Sequence, residues 1–347
     1  MRLIAADIGG TNARFALVDG LRILHSRTYP SEDYDSAISV LDHFIQELKG
    51  LGLIREDGAS ETPFKAISIA AAGTVSSDAG GESITGVNLS WTISSEELKE
   101  AAGVSRCVLL NDFEAAAWGL FTIGPEDMVK VSGPEPDQAG TKALLGAGTG
   151  LGEALAAYCL DTGGWTVIRS EGGHCSFAPQ DDLEQDLLAH LRARYGHVSY
   201  ERLVSGRGLL RIHGFLSSKR GGKMDRSSPI PTHPRQVMDM AREGDGLALE
   251  AVSLFFRIFA HEAGNLALKS LPKGGVYLAG GIIAKNLDLV SFHEVSRAFV
   301  SKGRMSGLLG QFPLYAVTTD SLGLLGAAYR AEQLLEGGPG RKPVQEG

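Results

Sequence analysis

Cysteine is scarce in this chain. Its 347 residues hold only Cys107, Cys159 and Cys175, with no CxxC pair. Three scattered thiols cannot form a disulfide framework, and the missing CxxC argues against a structural zinc site. Positive charge is in deficit: 33 Lys and Arg stand against 41 Asp and Glu, a net charge of −8. No basic run or stripe offsets it, which excludes nucleic acid and anionic membrane surfaces as natural partners. Long apolar runs are missing as well. The opening MRLIAADIGG turns polar after a few residues, too soon for a signal peptide or a membrane span, and the expectation is a cytoplasmic protein. The remaining balance, 43% hydrophobic and 21% charged residues, is that of an ordinary globular chain long enough for two domains.

Glycine is what the chain has in plenty, 45 residues of it. They cluster at Gly9-Gly10, Gly146–Gly152, Gly172-Gly173, Gly206–Gly208 and Gly280-Gly281. Several clusters follow short apolar runs, where a strand ends and the backbone must turn close to something. Leu3–Ala6, Arg14–Val18 and Ile23–Tyr29 read as strands joined by tight turns. A helix follows, with Ala37, Ile38, Leu41, Phe44, Ile45 and Leu48 at helical spacing. Lys65–Ala72 reads as a buried strand, Ser94–Glu97 as a capping box opening a short helix, and Cys107–Leu110 as a strand. The second half repeats the opening. Strands are predicted over Ala143–Leu145, Glu153–Leu160, Trp165–Ile168, Val276–Ala279 and Phe312–Val317, and helices over Ala248–Leu268 and Leu322–Leu335. Two glycine-turn hairpins, each opening a βββα-type block, suggest an internal duplication; a doubly wound sheet is the competing reading. Lys219–Pro234 reads as a surface loop and the tail from Gly337 as disordered.

Asp7-Ile8-Gly9-Gly10-Thr11-Asn12 closes the first strand with an acid, two glycines and two small polar residues. Such a turn is either an ordinary hairpin or a phosphate cradle, in which Asp7 holds Mg²⁺ directly or through water. Gly146-Ala147-Gly148-Thr149-Gly150-Leu151-Gly152 is a second candidate cradle. It misses the dinucleotide fingerprint GxGxxG and lacks the GK[ST] ending of a P-loop. Asp112 either caps the helix predicted over Phe113–Phe121 or acts as a base. His174 is either a core histidine or a ligand, and Glu171 and Glu201 are either surface acids or ligands.

In this order and spacing, DIGGTNARFAL, LLNDFEAAAWG, GAGTGLGEA, SEGGHCSFAP, SYERLVSGRGL and VYLAGGI resemble the bacterial glucokinase family of the hexokinase and actin-like ATPases, over nearly the whole chain. The resemblance implies an α/β, two-domain actin-like (ribonuclease H-like) ATPase fold with an interdomain cleft. A small domain over residues 1–111 would be completed by a C-terminal helix at about 319–336, with a large domain over 112–318 and a disordered tail over 337–347. It implies ATP-dependent phosphorylation of D-glucose at the 6-hydroxyl, an early glycolytic step, with ATP and Mg²⁺ as cofactors. Asp112 would be the general base. Asn111, Asp112, Glu171, His174 and Glu201 would bind the sugar. Asp7, Gly9, Gly10, Thr11, Asn12, Gly146, Gly148, Thr149 and Gly150 would serve the phosphates and the metal, and Gly280 and Gly281 the adenosine. A homodimer is left open.

The chemistry of the residue types agrees. Phosphoryl transfer needs positioning, charge stabilisation and one group to orient the nucleophile. Hexose hydroxyls need carboxylate acceptors together with a donor. Two departures from the family pattern bear on sugar choice: Ser176 stands where an acid is common in the EGGHxDFAP stretch, and Ala72-Gly73-Thr74 where a proline turn is common. A kinase for another hexose or an amino sugar is therefore the alternative. A non-catalytic sugar sensor on the same scaffold is the other class, and would be expected to carry an N-terminal helix-turn-helix.

Overall fold

A computed structural model of the chain describes residues 2–54, 63–78, 81–86, 91–161, 163–220 and 230–335. The tail from 337 and residues 221–229 of the expected surface loop lie outside them. Contacts divide the chain into two compact units, one of Met1–Ile123, Cys159–Val167 and Ser321–Gly347, the other of Gly124–Tyr158 and Ile168–Asp320.

The chain opens with β1 (Arg2–Ile8), β2 (Asn12–Asp19), β3 (Arg22–Pro30), α1 (Ala37–Gly50) and β4 (Ile67–Ala71). Next come β5 (Gly73–Asp78), β6 (Gly81–Gly86), β7 (Thr92–Ser94), α2 (Ser95–Ala102), β8 (Cys107–Asn111) and α3 (Asp112–Gly119). The main sheet has the order β3-β2-β1-β4-β8. Its first three strands form an antiparallel meander, and β4 and β8 run parallel to β1. Every residue of β4 is buried, as a run that is apolar except for Ser68 suits a central parallel strand.

β9 (Met128–Ser132), β10 (Lys142–Ala147), β11 (Leu151–Cys159) and β12 (Gly164–Ser170) follow. Then come α4 (Asp182–Tyr195), α5 (Gly206–Lys219), α6 (Pro234–Arg242), α7 (Gly246–Ser270), β13 (Gly275–Ala279) and α8 (Gly281–Ala284). The chain continues with α9 (Phe292–Val300), α10 (Ser306–Leu309), β14 (Leu314–Val317) and α11 (Leu322–Leu335). This second large sheet has the order β12-β11-β10-β13-β14-β9. β13 and β14 run parallel to β10, while β11 runs against it. Apart from the added edge strand β9, the strand order repeats that of the first sheet. The duplication is thus a matter of topology, and the antiparallel meander of the first sheet does not suit a doubly wound reading.

α11 returns the end of the chain to the first unit. Leu324, Ala328 and Ala331 cover the face of Leu3, Ala5, Ala16 and Val18. A Cβ at Gly326 would overlap the Ala115 carbonyl, and one at Gly119 the Leu322 carbonyl. The missing side chains let α3 and α11 meet backbone to backbone, which fixes α3 within the first unit. Among the described residues no helix is long and apolar enough to cross a membrane.

Candidate active site

In the first unit, β1 ends in a turn closed by Gly9 N–H donating to Asn12 O at 2.8 Å. Ser31 fastens it from β3's end, donating its N–H to Thr11 O at 2.9 Å and its hydroxyl to Gly9 O at 2.9 Å. Gly10, Thr11 and Asn12 remain exposed. Neither glycine has a positive φ, and a Cβ at Gly9 would meet only Asn12 O, at 3.6 Å. Gly9 is thus not required by the turn's own geometry, and its missing side chain leaves the exposed Gly10–Asn12 face open to an anion.

Asp7 is half-buried and pairs in register with Arg14. Its Oδ2 would stand 2.9 Å from a Cβ at Gly323, so the carboxylate lies against the first turn of α11. Arg14 Nη1 donates to Ser321 Oγ at 3.1 Å beside it. Among the described residues no group of three or more His, Cys, Asp and Glu side chains stands ready as a metal cage. One carboxylate next to an open glycine turn fits a Mg²⁺ that arrives on nucleotide phosphates, which needs few protein ligands.

Asn111, not Asp112, caps α3. Asn111 Oδ1 accepts from the N–H groups of Phe113 at 3.0 Å and Glu114 at 3.2 Å, while Nδ2 donates to Gly73 O at 3.1 Å. Both Oδ1 lone pairs are thereby engaged, and one amide hydrogen is left for a further acceptor. Asp112 is the first helical residue, with Oδ1 accepting from Phe113 N–H at 2.9 Å. The first helical turn is where the helix dipole favours negative charge.

In the second unit, five sequence features come together. Gly148 N–H donates to Gly150 O at 2.9 Å inside the GAGTGLG turn, and Gly148 O accepts from Gly206 N–H of α5 at 2.9 Å. A Cβ at Gly148 would meet nothing within 4 Å, and Thr149 is exposed. Gly280 has φ 95°, and a Cβ there would overlap Ala147 O. Glycine is therefore required where the AGG turn meets the end of β10, with Gly281 opening α8 beside it.

Glu171 leads into a tight turn over Gly172–His174, closed by His174 N–H donating to Glu171 O at 3.0 Å. His174 Nε2 stands 3.8 Å from Glu171 Oε2, and Nδ1 stands 4.0 Å from Glu201 Oε1. Glu201 donates its N–H to Gly173 O at 2.9 Å and accepts at Oε2 from Leu151 N–H at 3.3 Å. The His174 side chain is 59% exposed, so it is no core histidine. Two carboxylates and an imidazole converge on one exposed patch against the glycine turn. Ser176, at the departure from the family pattern, bonds His197 Nε2 at 3.1 Å instead of joining the patch. Sequence reasoning missed Glu153, which lies beneath Gly172; nothing in the local pattern of β11 marks it as buried.

The model of the family described as Glucokinase matches residues 4–334. A glucokinase from Chromohalobacter salexigens is 35% identical over 93% of this chain and 95% of its own. One from Neisseria meningitidis is 32% identical over 94% of this chain and 93% of its own. The crystal structure of a glucokinase from an Antarctic psychrotroph superposes with a TM-score of 0.78 at 29% identity, covering 96% of this chain and 99% of that one.

Proposed function

The chain belongs to the glucokinase family, and from that premise we propose how its residues divide the work of the family's reaction. It has the two-domain actin-like ATPase fold and is a hexose kinase, transferring the γ-phosphoryl group of ATP to the 6-hydroxyl of D-glucose. Asp112, ionised at the first turn of α3, takes the proton of the 6-hydroxyl as it attacks phosphorus. Asn111 offers its remaining amide hydrogen to a neighbouring hydroxyl. Glu171 and Glu201 accept from sugar hydroxyls, and His174 is positioned by both to donate or accept. The Gly9–Asn12 and Gly146–Gly150 turns offer backbone N–H groups to the phosphates, and Gly280-Gly281 flanks the adenosine. Mg²⁺, held by Asp7 directly or through water, would neutralise charge on the phosphates.

The observation that carries this reading is the convergence of Glu171, His174 and Glu201 against the second glycine turn. Carboxylates able to accept from a polyol, next to a turn able to hold phosphate, support it. The protein is proposed to work in the cytoplasm, where glucose and MgATP meet. Sugar-phosphate formation from glucose, mannose, fructose, N-acetylglucosamine and N-acetylmannosamine, measured by mass spectrometry with ATP or polyphosphate as donor, tests it. Glucose with ATP should give the highest kcat/KM; an amino sugar ahead of glucose would replace the substrate assignment.

A further inference from the structure

β11 and α7 each send a glutamate into the interior of the second unit. Glu153 and Glu262 are both 1% exposed, and their side chains lie within hydrogen-bonding reach of each other. Glu153 Oε1 and Glu262 Oε1 have no hydrogen-bond partner as ionised carboxylates. Two such carboxylates side by side would repel and leave both oxygens unsatisfied. One proton between them turns one oxygen into a donor and the other into its acceptor. Burial and mutual repulsion push Glu153 up to about 8, and burial raises Glu262 as well. The other groups facing the pair are the Tyr200 hydroxyl, Asn265, Lys269 and Lys302. Asn265 Nδ2 donates to Glu262 Oε2 at 2.8 Å and to the Tyr200 hydroxyl at 2.9 Å, while Lys302 Nζ is held by Asn265 Oδ1 at 2.6 Å.

Both segments that carry the sugar ligands rest on this pair. Gly172 lies so close to the Glu153 carboxylate that no Cβ would fit between them. Tyr200, joined to Glu262 through the Asn265 amide that donates to both, immediately precedes Glu201. A cavity of about 260 Å³ reaches Tyr200 and Glu262 past Cys175 and Lys269, both exposed, and gives the proton a route to water. We propose that Glu153 and Glu262, joined by one shared proton, form the floor that positions Glu171, His174 and Glu201, and that loss of this proton to solvent weakens sugar binding more than nucleotide binding. Glu153 and Glu262 are positioning residues, and the inference rests on the sugar-binding reading of the turn above them.

Glu153→Gln supplies a permanent amide donor to Glu262 and so reproduces the singly protonated pair at any pH. The glucose Kd of the wild type should rise about fivefold or more between about pH 7 and 9, the worth of one lost support. The Kd for ATP should move less, and Glu153→Gln should hold the glucose Kd flat. Amide exchange of residues 171–175 in the sugar-free protein, corrected for intrinsic rate, gives a readout that needs no ligand. Protection should fall over the same range in the wild type and persist in Glu153→Gln, with Glu262→Gln as the reciprocal variant if the first fails to fold. Protection indifferent to pH in the wild type, or lost equally in both variants, would overturn the floor. A floor that switches while glucose binds at no pH would instead remove the sugar reading and leave the floor standing.

Discussion

Glu201 Oε2 accepts the Leu151 backbone N–H at 3.3 Å, so one carboxylate joins the patch of Glu171 and His174 to the second glycine turn. Its other oxygen faces His174 at 4.0 Å. A Cβ at Gly150 would come within 2.5 Å of Oε2, which shows how closely the turn is folded around it. Glu171, by contrast, has an 89% exposed side chain, with His174 Nε2 at 3.8 Å.

The two acids should therefore behave differently. Glu171→Gln should raise KM for glucose alone, by roughly 5- to 100-fold, the range of one lost hydrogen bond to a charged group. Glu201→Ala should raise KM for glucose and for ATP together, because the Gly146–Gly152 turn loses its anchor. Initial rates with each substrate varied decide it. An unchanged KM for ATP in Glu201→Ala would show that the Leu151 contact does not hold the turn.

Asp112 and Asn111 are neighbours with separable roles. Because Asn111 caps α3, Asp112→Ala should lower the melting temperature less than Asn111→Ala does, while cutting kcat about 10²–10⁴-fold, the usual contribution of a general base. Asn111→Ala should cost about 1 kcal/mol of stability through the lost cap, and it also removes the tie to Gly73. Differential scanning calorimetry beside steady-state kinetics separates the two. Near-normal kcat in Asp112→Ala would reject the base.

α3 carries Asp112, and its seat is the close approach to α11. Gly326→Ala would drive a methyl group into the Ala115 carbonyl, a backbone atom that no rotamer change can move. Overpacking of this kind costs about 1–3 kcal/mol, read as a lower urea midpoint, and kcat should fall as α3 is displaced. Unchanged stability would mean that the two helices separate without cost.

Most of what the sequence made legible depends on local pattern. The buried runs of β1, β4, β10 and β13 are mostly apolar, and α11 runs over Leu322–Leu335 as its periodicity indicates. The glycine turns were visible because glycine clusters directly after such runs. α4 was missed because Asp182–Tyr195 is mostly polar, with only Glu184, Leu187 and Leu191 buried. α6 has no counterpart in the sequence reading: the loop expected over Lys219–Pro234 ends on its first residue, Pro234, whose missing N–H costs nothing in a first turn. The hairpin sheet β5-β6-β7 has mostly exposed, polar strands and little hydrophobic pattern to read. Glu153 was invisible for another reason: its partner Glu262 lies far along the chain on α7, and only the tertiary fold makes it a buried acid.

That buried pair also governs how stability depends on pH. Glu153 titrates near 8 when folded, against an ordinary value of 4.5. Between those values the folded chain keeps a proton that the unfolded chain releases, so the stabilisation is whole below the lower value and is lost as pH rises toward the upper one. His261, desolvated on α7, is pushed down to about 4 from 6.5. There the unfolded chain takes up a proton that the folded chain refuses, and stability falls as pH drops through that range. The two slopes oppose each other where the ranges overlap; between about pH 6.5 and 8 His261 no longer opposes the glutamate pair, whose slope is at most about 1.4 kcal/mol per pH unit per proton. Wild-type melting temperature should decline across that interval, and Glu153→Gln should flatten the decline while leaving the acid side unchanged. A His261→Gln variant should do the reverse, flattening the acid side only. If Glu153→Gln declines in parallel with the wild type, the proton held in the folded state belongs to some other group.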